Sequence, residues 1–215
     1  MLSPKAAGDV VLSHVSRSFG DVSVLDDIEA HMTAGSITEI IGDNGAGKTS
    51  LLRILIGTLA PTSGTLTVTG SPPGRGMAAL VPAGDRALYW RLTGRQELEF
   101  FARVTGIGRA DAAHAASEAA SALEVEHLMD RQIGTFSTGQ RRRLMVARSL
   151  VGLAPVLLLD EPYADLDETA CGVVERVART WAERGGLVIW TSPIAGGGPR
   201  PGARFRLRGG RLLDA

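Results

Sequence analysis

Apolar and polar positions follow two different periods along the chain, and this pattern predicts an alternation of strands and helices. Short continuous apolar runs, typical of strands buried on both faces, occur at residues 37–41, 156–159 and 187–190. Helix-compatible runs follow the first two strands, at residues 48–56 and 167–183. Because buried strands here alternate with helices, we expect a parallel sheet covered on both faces.

Other segments have the composition of antiparallel strands. Residues 10–36 and 65–81 are rich in Val, Thr and Ile with turn residues between them, and they predict an antiparallel β region flanking the first buried strand. A Gly- and Pro-rich loop is expected at 196–202, and a short strand pair is expected after it, at 203–207 and 211–213.

The middle of the chain changes to helical spacing of Ala, Glu and Leu. Residues 93–130 predict two or three helices interrupted at Gly106–Gly108, and a further helix is expected at 138–152. We therefore expect a single α/β domain over 1–215, with a helical subdomain inserted at about 86–152.

Composition narrows the function classes. Hydrophobic residues are 44% and charged residues 21%, and Lys+Arg (23) balances Asp+Glu (23), which argues against a dedicated nucleic-acid binder. The single cysteine, Cys171, excludes an intramolecular disulfide and a multi-cysteine zinc site, and it suggests a reducing compartment. The first residues lack the apolar segment of a secretory signal, and the longest near-apolar run, Leu150–Leu159, is shorter than the ~20 residues of a spanning helix. We expect no membrane span in this chain.

A glycine-rich loop between the first buried strand and the following helix predicts phosphate binding. It fits G-x-x-x-x-G-K-[ST], in which glycines allow close backbone approach and consecutive N–H groups surround phosphates at a helix N-terminus. Lys48 would reach the β- and γ-phosphates, and the Thr49 hydroxyl would bind Mg²⁺. The predicted nucleotide-binding residues here are Gly42, Asp43, Asn44, Gly45, Ala46, Gly47, Lys48, Thr49 and Ser50.

Two acids follow the buried strand at 156–159. Because strand ends in open α/β sheets face the ligand crevice, Asp160 is a candidate Mg²⁺ ligand and Glu161 a candidate for polarising the attacking water. A solvated strand end is the alternative, and the phosphate loop upstream makes the catalytic interpretation the stronger one. We therefore predict Lys48 and Glu161 as catalytic, and Thr49 and Asp160 as metal ligands.

A third motif gives the chain a family resemblance. Phe136-Ser137-Thr138-Gly139-Gln140 resembles the LSGGQ signature of ATP-binding cassette (ABC) transporter ATPases, and residues 164–167 resemble that family's D-loop. The order of phosphate loop, helical insert, signature and paired acids agrees as well. The resemblance implies the P-loop NTPase fold of ABC ATPases, with a parallel sheet core, an antiparallel β subdomain and an inserted helical subdomain. Phe19 lies where the family stacks an aromatic ring on adenine, although a core role for this side chain is equally open.

The resemblance also implies a mechanism and partners. Two ATPase subunits, as a homo- or heterodimer, would hold ATP and Mg²⁺ between one copy's phosphate loop and the other's signature, Ser137, Thr138, Gly139 and Gln140. Ser137 also has the sequence context of a helix N-cap. The subunit would lie in the cytoplasm on the inner face of the cell membrane and power export, of the drug or antibiotic type, through transmembrane permease subunits. A soluble ABC ATPase of cluster assembly and a weakly hydrolysing regulatory partner are the alternatives.

Several positions depart from the family pattern. Ser192 stands where the family has a histidine, and Ala83 stands where it often has a glutamine; Asp85 is a weak substitute oxygen ligand. We interpret Arg141–Arg143 as a solvated helix face rather than as phosphate ligands. Tyr89 and Trp90 lie where the family contacts its membrane subunit, and packing on the helical insert is the alternative.

Overall fold

A mostly parallel sheet of six strands forms the centre of the molecule. The computed structural model describes residues 2–5, 8–84, 87–195 and 198–215. The strand order is β5-β6-β7-β3-β8-β9, and only the last pair is antiparallel. The strands are β3 (Ile37–Ile41), β5 (Ala78–Val81), β6 (Val156–Leu159), β7 (Leu187–Ser192), β8 (Ala203–Arg208) and β9 (Arg211–Asp214). The predicted buried parallel strands and the closing strand pair are confirmed.

A second, antiparallel sheet has the order β2-β1-β4. It consists of β1 (Val10–Phe19), β2 (Val22–Met32) and β4 (Ser63–Val68). The prediction that all of 65–81 belongs to this antiparallel region was wrong, because β5 lies at the edge of the central sheet, parallel to β6. The residues between β4 and β5 include Gly70, Gly74 and Gly76, and this turn-rich connection carries the chain from one sheet to the other.

The described residues form five α-helices. They are α1 (Lys48–Leu55), α2 (Gly94–Val104), α3 (Arg109–Ala122), α4 (Thr138–Leu150) and α5 (Glu168–Glu183), with short 3₁₀ turns at Glu126–Leu128 and Ile133–Thr135. Helices α2 to α4 pack on one another, and α4 also packs on β5 and α5. No helix in the described parts of the chain is long and apolar enough to cross a bilayer.

Alternation along the central strands divides the core into two halves. Leu157, Leu159 and Trp190 face the cluster formed with α2 to α5. Leu158 and Ile189 face the opposite cluster, formed with α1 and the antiparallel sheet. Because both faces are covered, the carboxyl ends of β3, β6 and β7 remain as the edge where polar side chains gather.

Candidate functional site

The glycine-rich loop connects β3 directly to α1. Gly47, the residue just before α1, has φ 105°, a left-handed conformation, and a Cβ there would come within 3.1 Å of the Val24 carbonyl oxygen. A Cβ on Gly42 would lie 2.6 Å from the Leu207 carbonyl oxygen. Glycine is therefore required at both positions, for conformation at one and for close approach at the other. No described side chain caps the N-terminus of α1, and an uncapped helix N-terminus is an arrangement that binds anions.

Lys48, the first residue of α1, is buried and folds back over the loop. Its Nζ donates to the carbonyl oxygens of Gly42 (2.6 Å) and Asp43 (3.2 Å). The same Nζ lies 3.1 Å from Glu161 Oε1. The structure thus brings together the two residues predicted as catalytic, from elements more than a hundred positions apart in the chain.

Asp160 is buried at the end of β6 and joins three elements. One carboxylate oxygen, Oδ2, accepts from the Thr49 hydroxyl at 2.8 Å, and Oδ1 accepts from the Thr191 hydroxyl at 2.8 Å. Thr191 Oγ1 in turn accepts from the backbone N–H of Glu161 at 3.0 Å. Thr191 is a site residue that the sequence reasoning missed, although its place at the end of the buried strand β7 was an available signal.

The Thr49–Asp160 pair has the chemistry of a magnesium site. A hydroxyl and a carboxylate oxygen converge at 2.8 Å, and Mg²⁺ usually takes one or two protein oxygens together with phosphate oxygens and water. Among the described residues no group of three or more His, Cys, Asp or Glu side chains is placed to hold a metal. The residues present therefore fit a cation shared with a bound phosphate, and not an all-protein metal centre.

Glu161 has a strained backbone. Its φ is 46°, in the left-handed region that non-glycine residues rarely adopt, and such strain concentrates at functional sites. The side chain is partly exposed and lines an open cavity of about 450 Å³. The cavity is lined by Val24, Asn44, Gly45, Gly47, Lys48, Thr49, Ser50, Ala83 and Glu161.

Most of the predicted phosphate-loop residues line this cavity, and two differences from the sequence reasoning stand out. Val24, on β2, belongs to the lining and was not predicted. Phe19, the predicted adenine-stacking residue, is not part of that lining. It is exposed at the end of β1, with the Arg17 guanidinium 4.4 Å from its ring centroid. Adenine stacking on Phe19 stays a prediction.

The signature residues lie apart from the cavity. Ser137 caps α4 in a capping box with Gln140: the Gln140 N–H donates to Ser137 Oγ at 3.2 Å, and the Ser137 N–H donates to Gln140 Oε1 at 2.9 Å. The predicted N-cap role of Ser137 is confirmed. Neither Ser137 nor Thr138, both exposed, contributes to the cavity lining of the same chain, and Gly139 packs near the Asp165 carbonyl instead.

The interpretation of Arg141–Arg143 as a solvated face was wrong for Arg142, which is 2% exposed. The guanidinium contacts only backbone carbonyls among the described residues: those of Pro82, Gly84, Asp160, Glu161 and Pro162. Burial lowers the pKa of Arg142 from its ordinary value, and the charges of Asp160, Asp165 and Glu161 oppose that shift. The helical period of α4, with Met145, Val146 and Ser149 on the same face, was the signal that could have predicted this burial.

Ser192, at the end of β7, is not among the residues that line the cavity. The Ser192 hydroxyl donates to the Ile194 carbonyl at 2.7 Å, and the side chain is buried. Ala83 lines the cavity with a methyl group in place of a polar side chain. Asp85, considered as a substitute ligand, lies outside the described residues.

Tyr89 and Trp90 lie on an exposed aromatic surface beside the helical insert. Both side chains are about half exposed, as is Phe100, and Tyr89 also packs edge-on against Phe100 with ring centroids 6.1 Å apart. Beneath them the fully buried Glu97 pairs with Arg148 at 3.0 Å. The rings therefore pack on the insert and also present a surface to solvent, and contact of this surface with a membrane subunit stays a prediction.

Comparisons with known proteins agree with this geometry. Residues 25–164 match the family described as ABC transporter. The NatA ATP-binding protein of Bacillus subtilis is 28% identical over 86% of this chain and 79% of its own length. The Nod factor export ATP-binding protein I of Paraburkholderia xenovorans is 32% identical over 88% of this chain and 63% of its own length. The maltose/maltodextrin import protein MalK of Yersinia pestis is 33% identical over 74% of this chain but only 44% of its own length.

Solved structures agree on the fold. An ATP-binding subunit of an ABC transporter superposes with a TM-score of 0.85 over 94% of this chain and 87% of that one, at 22% identity. The cbiO1 protein of Clostridium perfringens, described as part of the cbiONQ transporter complex, superposes with a TM-score of 0.82 over 95% of this chain and 86% of that one, at 23% identity.

Proposed function

This chain belongs to the ABC transporter family as an ATP-hydrolysing, ATP-binding subunit, and from that premise we propose that it powers export of a substrate through separate membrane subunits. The observation that best supports the choice of catalytic residues is their position. Strands β3 and β6 end at one edge of the cavity, where Lys48 contacts Glu161 and Thr49 contacts Asp160.

Each of these groups has a distinct role toward the triphosphate. The loop N–H groups and the Lys48 ammonium bind the phosphates and stabilise negative charge at the γ-phosphate. The Thr49 and Asp160 oxygens would hold Mg²⁺, which would supply positive charge to neutralise the phosphate oxygens. Glu161 orients a water molecule and accepts its proton, while the water oxygen forms a bond to the γ-phosphorus and the bond to the ADP oxygen breaks.

The second phosphate-binding element comes from a facing subunit. In one chain the exposed, capped N-terminus of α4 does not reach the cavity of the same chain, although it has the hydroxyl and N–H groups that bind anions. We infer that Ser137 and Gly139 of one copy complete the site of another. Two nucleotides are then enclosed between two ATPase subunits, and hydrolysis allows the two subunits to separate.

Membrane subunits and direction of transport extend the proposal further. The exposed aromatic surface around Tyr89 and Trp90 is the surface we assign to the membrane subunit, on the inner face of the cell membrane. Relatives include proteins named for export and for import, and the Nod factor export protein aligns with more of this chain (88%) than MalK does (74%). Export is therefore the direction that we propose.

The test of this function is Glu161→Gln, which keeps the shape of the side chain but removes its basicity. We expect ATP binding to persist, steady-state hydrolysis to fall by about 10²–10⁴-fold and a nucleotide-bound dimer to accumulate. The rate of phosphate release measures hydrolysis, and the molar mass in solution with Mg²⁺ and ATP measures dimer formation. Normal hydrolysis by this variant would refute the role of Glu161.

The same variant tests the direction of transport. Cells whose only copy carries Glu161→Gln should accumulate the transported compound inside if the system exports it, and in the medium if the system imports it. Comparison of small-molecule content in cells and medium against wild type distinguishes the two.

A weakly hydrolysing subunit is a second candidate, and the Ser192 geometry favours it. The Ser192 hydroxyl donates its single proton to the Ile194 carbonyl, and it lacks the imidazole N–H that the family's histidine would offer to the γ-phosphate. Loss of one preorganised transition-state contact typically costs about 10²–10³-fold in rate. Steady-state ATPase activity measured with and without the membrane subunits separates a weak subunit from one that its partner activates.

A further inference from the structure

Arg142 links three segments that surround the catalytic glutamate. We propose that Arg142 is a positioning residue for hydrolysis, which fixes the backbone of Glu161 and ties it to segment 82–84 and to the signature helix α4. The proposal rests on the role of Glu161 proposed above and extends it to a residue that does not contact the nucleotide cavity.

The first contact is with the chain around Glu161. Arg142 Nη2 donates to the carbonyl oxygens of Asp160 (2.7 Å) and Glu161 (2.9 Å), and Nε donates to that of Pro162 (3.3 Å). Three consecutive carbonyls can face one guanidinium only where the backbone turns sharply. The left-handed Glu161, with φ 46°, lies at the centre of that turn. Strain of this kind persists only where surrounding contacts hold it, and the guanidinium supplies those contacts.

The second contact is with the segment that follows β5. Arg142 Nη1 donates to the carbonyl oxygen of Gly84 at 3.1 Å and to that of Pro82. Ala83, between these two residues, lines the same cavity as Glu161. One side chain on α4 therefore binds both segments that carry the lining residues Ala83 and Glu161. A displacement of α4 would move both segments.

The burial of this charge argues for more than packing. Arg142 is 2% exposed and forms no ion pair with a carboxylate in the part of the chain that the structure describes. A buried charge is costly unless it is fully hydrogen-bonded, and an apolar side chain of similar length would fill the same space. The five carbonyl oxygens around this side chain need five N–H donors arranged in one plane, and among side chains only arginine provides them.

A specific kinetic effect follows. Loss of the guanidinium releases the turn at Glu161 and misplaces its carboxylate, whereas none of the Arg142 hydrogen bonds among the described residues goes to Lys48 or the glycine-rich loop. We therefore expect Arg142→Met to lower kcat by about 100-fold, the loss typical of a misplaced catalytic group, with KM and ATP affinity retained. Arg142→Lys, which keeps the charge and fewer donors, should restore part of kcat.

Arg143 provides a matched control on the same helix. Its Nη1 also donates to backbone carbonyls, of Leu123 (3.3 Å) and Glu124 (3.2 Å), but these lie in the helical insert away from the cavity. Arg143→Gln should therefore retain the wild-type kcat. Thermal melting of each variant identifies the folded proteins to compare, and Arg142→Lys carries the test if Arg142→Met does not fold.

A double-mutant experiment separates positioning from a general structural role. If Arg142 acts through Glu161, then Arg142→Met should add no further loss of single-turnover hydrolysis in a Glu161→Gln background. An equal loss in both backgrounds, an unchanged kcat, or a loss that appears only in KM would overturn the proposal. Absence of Mg²⁺-dependent hydrolysis in the wild-type protein would instead refute the proposed function.

Discussion

At the scale of single residues, the site depends on a small network of hydrogen bonds centred on Thr191. Its hydroxyl donates to Asp160 and accepts from the Glu161 N–H, so one side chain orders both acids. Thr38, on the adjacent strand β3, is equally buried, but its hydroxyl has no hydrogen-bond partner among the described residues. The two threonines thus differ in hydrogen bonding: the Thr191 hydroxyl makes two bonds at the site, and the Thr38 hydroxyl makes none among the described residues.

Thr191→Val should lower both stability and turnover. The change leaves Asp160 Oδ1 and the Glu161 N–H without a partner, which costs about 1–3 kcal/mol of unfolding free energy. We expect kcat to fall because Glu161 loses a contact that orders its backbone. Thermal denaturation and steady-state hydrolysis measure the two effects.

Thr38→Val is the matched control. It removes a hydroxyl that makes no bond, so stability should stay constant or rise. Equal destabilisation by both substitutions would show that the Thr191 network contributes nothing.

At the scale of elements, the N-terminus of α4 combines a structural cap with a proposed binding role. The capping box of Ser137 and Gln140 has a close counterpart at α2, where Thr93 and Gln96 form the same pair of bonds. Any capping residue stabilises its helix, so the cap at α4 alone says nothing about nucleotides. Comparing substitutions at the two caps therefore distinguishes the structural role of Ser137 as a cap from its proposed role in nucleotide binding.

Ser137→Ala and Thr93→Ala should each cost about 1 kcal/mol of stability, because each removes one N-cap hydrogen bond. Only Ser137→Ala should also weaken ATP-dependent dimerisation, measured by molar mass in solution with the Glu161→Gln substitution present. Equal dimerisation in the two variants would contradict the inferred contact between Ser137 and the nucleotide of the facing subunit.

At the scale of the whole molecule, the exposed aromatic surface and the catalytic edge are distinct. Tyr89, Trp90 and Phe100 are each about half exposed, and the buried Glu97–Arg148 pair lies next to Tyr89, whose backbone N–H donates to Glu97 Oε2 at 3.4 Å. Burial raises the pKa of Glu97, while its hydrogen bond to Arg148 acts in the opposite direction. Exposed aromatic side chains next to arginines are typical of a protein–protein interface.

Trp90→Ala should weaken binding to the membrane subunits by at least about 2 kcal/mol, as loss of a central aromatic anchor does. Hydrolysis by the isolated subunit should be unaffected, since Trp90 does not line the cavity. Val22, which is 65% exposed on the antiparallel sheet, offers the control substitution Val22→Ala. Equal binding by both variants to detergent-solubilised membrane subunits would remove this surface from the proposal.

The sequence determined the features that depend on local order. The apolar runs of β3, β6 and β7 predicted the parallel core, because continuous apolar strands are stable only when both faces are buried. The glycine-rich loop and the Ser137 cap were predictable for the same reason, since turns and caps are set by neighbouring residues. The acids at the end of β6 could be predicted from their position alone.

Tertiary structure decided what depends on distant segments meeting. The edge position of β5, the Thr191 bridge, the Val24 wall and the Lys48–Glu161 pair all join residues that are remote in sequence. Arg142 shows the reason most clearly, because three arginines in a row have the same local chemistry. Only the packing of α4 against segments 82–84 and 160–162 buries the second of them and makes its guanidinium a partner for five carbonyl oxygens.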